Sequence, residues 1–497
     1  MSLSPRHALS RRNVLRGGVA LGAAAAVGPF TVRSAQAVTT PPGGVFDCVV
    51  VGAGLSGLAA ARKLRETGRS VVVVEARNRP GGRVQTINTL GGGLHFDGGA
   101  EFIGPTQNHI QALADEFDVA TLPTYNEGLN LYWRNGTKTY YPAAIGIPIN
   151  QSIGETATAI VKLSAICLSI TPGKPWEHLL ANDWDSLTFK DWIDRTVVSA
   201  DAKLQLSLIC SSTLSVAPEL VSALFMFNYI ASAGDENNPG TMFRLLNTSG
   251  GAQERFFDGG AYRVPEAMAN TIADTIVYNA PVSTIDTRSG KAVVTTAAGT
   301  FTGKRVIVAM SPAIAGKISY PGGLTTDRSR LHTQMKMGYE GKFQAAYDTP
   351  FWRSKGWTGQ VIGNGSPLDV TFETYSQGKY WLMGFISGEN MLDLDNDSEA
   401  SLVERCTQSF VDYFGPEART GMVDKGYKRW DLDQYSWGGP TAIAGRNVIT
   451  RAGTALRQPI GPIHWAGTES AIYWQGYMDG AVTSGYRTAD EVNSALG

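Results

Sequence analysis

The stretch Phe46-Asp47-Cys48-Val49-Val50-Val51-Gly52-Ala53-Gly54-Leu55-Ser56-Gly57-Leu58-Ala59-Ala60-Ala61-Arg62-Lys63-Leu64-Arg65-Glu66-Thr67-Gly68-Arg69-Ser70-Val71-Val72-Val73-Val74-Glu75 decides the fold. Its two strand-like runs, at 46–51 with only Asp47 polar and at 71–74 wholly apolar, read as buried β-strands. Between them lies a segment with helical spacing that ends at Gly68. The turn into that helix is a G-x-G-x-x-G built on Gly52, Gly54 and Gly57, with Ser56 inside it. Such glycines let the backbone approach a pyrophosphate seated on the helix N-terminus. Glu75 closes the second strand, where a carboxylate accepts hydrogen bonds from adenosine ribose hydroxyls. A lone glycine turn is weak, but strand, turn, helix, strand and acid in this order specify a dinucleotide site. The motif itself leaves NAD and FAD both open.

The whole chain has 497 residues, which predicts two or three domains. With 43% hydrophobic and 18% charged residues and a formal net charge of −1, it carries neither a nucleic-acid footprint nor a polybasic membrane patch. A small neutral substrate fits this balance. The four cysteines, Cys48, Cys167, Cys210 and Cys406, are too far apart for a metal knuckle and read as buried thiols. The six histidines form no HxxxH or HExxH pair, so no metal site is expected.

The N-terminus reads as a targeting segment. Ser10-Arg11-Arg12-Asn13-Val14-Leu15 precedes a short apolar region at 17–28, and Ser34-Ala35-Gln36-Ala37 offers an A-x-A cleavage site. Paired arginines before a weak apolar region favour the twin-arginine route, which carries folded proteins, so residues 1–37 predict export to the periplasm. A protein left unprocessed would stay in the cytoplasm. No other stretch reaches the roughly 18 consecutive apolar residues of a membrane span.

The segment running out of the second strand separates the two cofactors. Glu75-Ala76-Arg77-Asn78-Arg79-Pro80-Gly81-Gly82-Arg83 resembles the E-A-R-x-x-x-G-G-R signature of flavin amine oxidases. Asp97-Gly98-Gly99-Ala100-Glu101-Phe102-Ile103-Gly104 and Gly104-Pro105-Thr106-Gln107-Asn108 continue that resemblance. Further on, Ala280-Pro281-Val282-Ser283-Thr284-Ile285 precedes a hairpin and a strand read from Arg305 to Ala309. The C-terminal run Ala466-Gly467-Thr468-Glu469-Ser470-Ala471-Ile472-Tyr473-Trp474-Gln475-Gly476-Tyr477-Met478-Asp479-Gly480-Ala481-Val482 matches the family's G-T-E-x-x-x-x-W-x-G-Y-M-x-G-A-V almost residue for residue. From about Asp47 to Val492 the chain thus resembles the flavin-containing monoamine oxidases.

This resemblance implies a mixed α/β fold, with a Rossmann-like FAD domain interleaved with a substrate domain of mixed sheet plus helices. It places the FAD domain at 38–121, 258–331 and 433–497, and the substrate domain at 122–257 and 332–432. Helical spacing marks 151–235, and strands are expected within 342–387, at Lys342-Phe343-Gln344-Ala345-Ala346-Tyr347 and Trp381-Leu382-Met383-Gly384-Phe385-Ile386. By the same resemblance FAD touches Ala76, Arg77, Gly82, Arg83, Gly99, Ala100, Glu101 and Phe102. The backbone of Val282 meets the adenine, and Gly467, Thr468, Glu469, Met478 and Ala481 surround the ring and ribityl chain. The helix starting near Met478 aims its amides at the flavin edge that becomes negative on reduction.

The implied chemistry is hydride transfer from the carbon next to a neutral amine to flavin N5, giving an imine that hydrolyses to an aldehyde or ketone plus amine or ammonia. Lys342 matches the lysine that holds a water against N5, and a solvated surface lysine is the competing reading. Tyr477 matches one wall of an aromatic cage around the amine, and Trp430 a tryptophan near the flavin. Aligned on Tyr435-Ser436 and the following glycine, Pro440 stands where the second cage tyrosine is found. Gly439 stands at the cysteine that binds FAD covalently in animal enzymes, so FAD is expected to be non-covalent. Trp437 or Trp474 is expected to close the half-open cage, and Leu246 and Gln253 match the entrance to the substrate pocket. Any of these tryptophans also suits a plain core role.

An oxidase releasing H2O2 from O2, a dehydrogenase passing electrons to a carrier protein, an L-amino-acid oxidase and a silent flavin-binding protein all stay open, as does a homodimer. Exported bacterial relatives that act on nicotine and pseudooxynicotine share this plan. That likeness extends the substrate expectation to a methylamino alkaloid such as pseudooxynicotine.

Overall fold

The strand Val45–Val51, the helix Leu55–Glu66 and the strand Val71–Val74 form the βαβ unit expected from the sequence. The computed structural model describes residues 40–497, so the export segment at 1–37 lies outside the described residues. The two strands pair in parallel, Cys48 opposite Val71 through Val51 opposite Val74. Alternation along them feeds two cores. Cys48, Val50, Val71 and Val73 face the helix side with Leu58 and Leu64, while Val49, Val51, Val72 and Val74 face the other side with Ile285 and Trp465. Burial on both faces is why residues 48–51 and 71–74 of these strands are apolar throughout. Gly57 sets the closeness of helix and strand, since a Cβ there would lie 1.9 Å from the Gly52 carbonyl oxygen.

The sheet's central strand is Gly299–Ala309. The strand expected to start at Arg305 therefore starts at Gly299, because the return strand of the hairpin runs on without a break. One edge of Gly299–Ala309 pairs in parallel with Val45–Val51. Its other edge is shared: Ala292–Thr296 pairs antiparallel with the first half, and Ile463–Ala466 in parallel with the last four residues. The parallel strands Val45–Val51, Val71–Val74, Gly299–Ala309 and Ile463–Ala466 thus end on one side of the sheet, the side where ligands bind in open α/β folds. The C-terminal helix Met478–Leu496 packs on Leu55–Glu66. The Ser56 hydroxyl accepts a hydrogen bond from Gly467 N at 2.8 Å, tying the first turn of the fold to its last strand.

A second seven-stranded sheet has the spatial order Met422–Arg429, Glu340–Tyr347, Lys379–Ser387, Val370–Ser376, Trp357–Gly363, Leu129–Arg134, Thr137–Pro142. Both strands expected within 342–387 are present and pair antiparallel, with Lys342 opposite Phe385. Phe343, Ala345 and Tyr347 face the helix Glu399–Phe414 through Cys406, Phe410 and Phe414. Glu340, Lys342 and Gln344 alternate with them and share the opposite face. The helical spacing over 151–235 becomes Ile153–Ser169, Ala181–Ser186, Phe189–Thr196, Ala200–Leu214 and Ala223–Ala231, gathered around one apolar cluster. Thr188 makes a capping box with Asp191, and Ser199 and Ser222 cap the next two helices. Ala223–Ala231 is buried along its whole length, which places Tyr229 inside the protein.

All four cysteines are buried and unpaired. No helix among the described residues is long and apolar enough to cross a membrane.

Candidate active site

A cavity of about 510 Å³ runs between the carboxyl ends of the first sheet and one face of the second. From the first region come Gly52, Gly54 and Ser56 of the glycine turn, then Glu75, Ala76, Arg77, Gly82 and Arg83. Gly99, Ala100, Glu101, Phe102 and Val282 also line it, with Gly467, Thr468, Tyr477, Met478 and Ala481 from the C-terminal run. The second region contributes Gln253, Lys342 and Trp430 from the expected set. Trp437 and Pro440 lie on the wall as well.

The chain's own groups suit a flavin dinucleotide. A Cβ on Gly54 would meet no protein atom within 4 Å, so the space beside this turn is free for a ligand. Two helices begin at the cavity, at Leu55 and Met478, and neither has a side-chain cap. Their first N–H groups and positive dipole ends are left for an anionic group. Glu75 is held from behind, its carboxylate accepting from Ala53 N at 2.7 Å and Arg77 N at 2.9 Å. Arg83 reaches over the cavity and donates to Glu469 Oε1 at 2.8 Å and to the Pro440 carbonyl at 2.7 Å.

Four of the expected residues stand behind the wall. Gly57 packs against the Gly52 carbonyl, the close helix–strand contact that only glycine allows. Glu469, 1% exposed, is spent on Arg83, with Ala442 N a further donor at 3.3 Å, so it orients the arginine from outside the cavity. Trp474 is fully buried and meets Tyr477 edge-on at 4.9 Å, with its indole N–H donating to Thr106 Oγ1 at 3.0 Å. It braces the tyrosine and does not close the cage. Leu246 ends the short helix Met242–Leu246, whose apolar side turns into the helical cluster, while the loop after it delivers Ala252 and Gln253 to the cavity instead. Trp437, 39% exposed, stacks under Lys317 Nζ at 4.1 Å on an open margin of the cavity.

The second ring beside Tyr477 is Tyr229, with ring centroids 6.1 Å apart, and both line the cavity. Burial pushes both hydroxyls up, so each stays neutral. No sequence signal marks Tyr229, because it sits in the uniformly apolar run Ala-Leu-Phe-Met-Phe-Asn-Tyr-Ile-Ala.

Lys342 is buried, 2% exposed, and the surface reading of it falls away. It donates to the Gly99 carbonyl at 2.9 Å and forms an ion pair with Glu101, whose carboxylate also accepts from Gln344 Nε2 at 3.0 Å. Next to this pair, burial and then the Glu101 charge push Asp97 up to about 7, against the pull of Lys342. Glu340 is a second unforeseen member. It lines the cavity two residues before Lys342, and burial pushes its carboxyl up to about 7 against Lys342 and Arg83. Strand alternation from Lys342 was the signal that could have found it. Trp430 is fixed beside them, its indole N–H donating to the Gly98 carbonyl at 2.7 Å and its backbone N–H to the Glu340 carbonyl at 3.0 Å.

Comparison with known proteins agrees with this construction. The family model for flavin containing amine oxidoreductase matches residues 55–493. The chain is 34% identical to AofH of Mycobacterium tuberculosis over 468 residues, 94% of this chain and 100% of that one. It is 32% identical to human amine oxidase [flavin-containing] B over 458 residues, 91% of this chain and 86% of that one. Among solved structures, cyclohexylamine oxidase from Brevibacterium oxydans IH-35A superposes with a TM-score of 0.85 at 28% identity, covering 91% of this chain and 99% of that one. Putrescine oxidase bound to putrescine superposes with a TM-score of 0.84 at 29% identity, covering 90% and 99%. With the glycine turn, the two uncapped helices and the buried lysine around one cavity, this chain belongs to the flavin containing amine oxidoreductases.

Proposed function

We propose that this protein oxidises a primary or secondary amine to an imine, using FAD held without a covalent bond and O2 as the acceptor that becomes H2O2. The observation that carries the reading is one cavity that joins the glycine turn at Gly52 to Lys342, Tyr229 and Tyr477. The organisation behind it is an FAD part at 38–121, 258–331 and 433–497, and a substrate part at 122–257 and 332–432.

Flavin, when bound, would supply the two-electron acceptor for a hydride from the carbon next to the amine nitrogen. The chain does the rest. Gly54, Arg83 and the N-terminus of Leu55–Glu66 take the pyrophosphate, and Glu75 the ribose. Met478 opens the helix whose dipole favours negative charge on the ring. Tyr477 and Tyr229, kept neutral, offer aromatic surface to the apolar part of the amine. Lys342 is positioned by Glu101 and Gly99 to hold a water at the reacting face. Gly439 brings no thiol to the cavity, and none of the four cysteines lines it, which supports non-covalent FAD.

Pro440 lines the cavity with Tyr477 and is smaller than the tyrosine expected in its place, which favours a secondary methylamine carrying an aromatic head, so pseudooxynicotine joins cyclohexylamine and putrescine as a substrate to test. The paired arginines and A-x-A site at 1–37 support export to the periplasm. Turnover with such amines in air, with peroxide and carbonyl assays, tests the proposal. Equal amounts of H2O2 and carbonyl product are expected, a ketone from cyclohexylamine and an aldehyde from an amine on a CH2 carbon. Carbonyl product formed only when a cytochrome or dye is added would replace O2 with a carrier protein.

A further inference from the structure

Three carboxylates line the cavity: Glu75, Glu101 and Glu340. Glu75 accepts two backbone N–H groups, and Glu101 is paired with Lys342 and Gln344. Glu340 differs, because among the described residues no group donates a hydrogen bond to its carboxylate, and only the more distant charges of Lys342 and Arg83 favour its ionised form. Both cations are committed elsewhere, Lys342 to Glu101 and Arg83 to Glu469. The carboxylate also reaches the stretch that precedes Pro440, since a Cβ on Gly439 would lie 2.8 Å from Glu340 Oε2. Its charge is felt by the Tyr229 and Tyr477 hydroxyls, which places it near the two rings. A carboxylate that lines the cavity without a partner is costly there, and a cation entering the cavity removes that cost.

An alkylamine has a pKa near 10, like a lysine side chain, so it arrives as ammonium at neutral pH. Oxidation needs the free amine with its lone pair. We propose that Glu340 binds the incoming substrate ammonium and takes its proton. The N–H bond breaks, the electron pair stays on nitrogen, and an O–H bond forms on the carboxylate. Glu340 returns this proton to water when the product leaves. This role rests on the protein oxidising an amine, and it belongs to a residue that the sequence motifs do not contain. The groups facing Glu340 are Lys342 and Arg83, which favour its charge, Asp369, on which its own charge acts, and the neutral Tyr229 and Tyr477. Burial is the larger influence and lifts its carboxyl to about 7, within reach of a proton delivered by a bound amine.

The test uses flavin-loaded wild type and the isosteric variant Glu340→Gln, with Glu340→Asp as the charge-keeping control. The probe is tert-butylamine, an ammonium with no hydrogen on the carbon next to nitrogen, so it binds without being oxidised. Its neutral counterpart is tert-butanol. Affinity is read from the shift of the flavin spectrum. Glu340→Gln is expected to weaken tert-butylamine by about tenfold or more, and tert-butanol not at all, while Glu340→Asp keeps most of the affinity. Unchanged tert-butylamine affinity, or an equal loss for both probes, overturns the proposal. The pH profile gives a second readout. Flavin bleaching by a limiting amine should level off above about pH 7 in wild type. In Glu340→Gln it should keep rising with the free amine toward about pH 10. Superimposable profiles overturn the proposal too. Because the probe affinity involves no turnover, a failure here is distinct from a failure of any amine to bleach the flavin.

Discussion

Lys342 and Glu101 form a buried ion pair at the wall of the cavity, with side chains 2% and 6% exposed. The lysine comes from the second sheet, and the carboxylate from the segment just after the Asp97-Gly98-Gly99 turn. One pair thus fastens the candidate substrate side to the candidate flavin side at the reacting end. The cost of burying the lysine is met by a carboxylate that lies in a motif assigned to the cofactor.

Breaking this pair from either side leaves a buried charge unpaired. Glu101→Gln and Lys342→Met are each expected to lower the unfolding free energy of the flavin-loaded protein by roughly 3–5 kcal/mol. The double variant should lose clearly less than the two together. Denaturant unfolding of the four proteins checks this, and strict additivity would show that the two groups act independently.

The dinucleotide acid has a structural task besides the one read from its motif. Glu75 accepts from Ala53 N inside the glycine turn, so Glu75→Ala both frees that amide and removes the ribose acceptor. A hydrogen bond to a charged group is worth about 1.5–3 kcal/mol, so flavin affinity should fall by roughly one to two decades. Glu75→Gln, which keeps an acceptor in place, should lose less. Fluorescence titration of the flavin-free protein with FAD decides it, and equal affinities for wild type and Glu75→Ala would remove Glu75 from the site.

The dinucleotide half of the molecule was legible because its rules are local. Glycines at fixed offsets, a valine run and a closing acid describe backbone that must approach a ligand, and Gly52, Gly54 and Glu75 all line the cavity. The residues that escaped the sequence are those whose meaning depends on what lies across the cavity. Tyr229 sits on a helix buried all round, where nothing distinguishes a lining residue from a core one. Glu340 becomes visible only when the alternation of its strand is referred to Lys342. Glu469 and Trp474 belong to the most specific motif in the chain, yet they act one layer back, through Arg83 and Tyr477. A motif marks residues that must be present, and it does not say which of them touch the ligand.

Attachment of the flavin is a separate expectation. Gly439 stands beside Glu340 with no side chain to form a thioether, and the four thiols are buried away from the cavity. Acid precipitation should leave all yellow colour in the supernatant, with FAD as the released species. Colour that stays with the precipitated protein would mean a covalent link through another residue.

The central claim is that this cavity brings an amine to a bound flavin, and anaerobic reduction tests it most directly. Purified flavin-loaded protein would be mixed without oxygen with cyclohexylamine, putrescine, a methylamino alkaloid such as pseudooxynicotine, and an L-amino acid, while the flavin absorbance is monitored. Full bleaching by at least one of the amines is expected, at a rate that saturates with its concentration, and no bleaching by the amino acid, because Arg77 and Arg83, the arginines that line the cavity, are taken up by the flavin together with Asp433 and Glu469. A flavin that stays oxidised with every amine would contradict it.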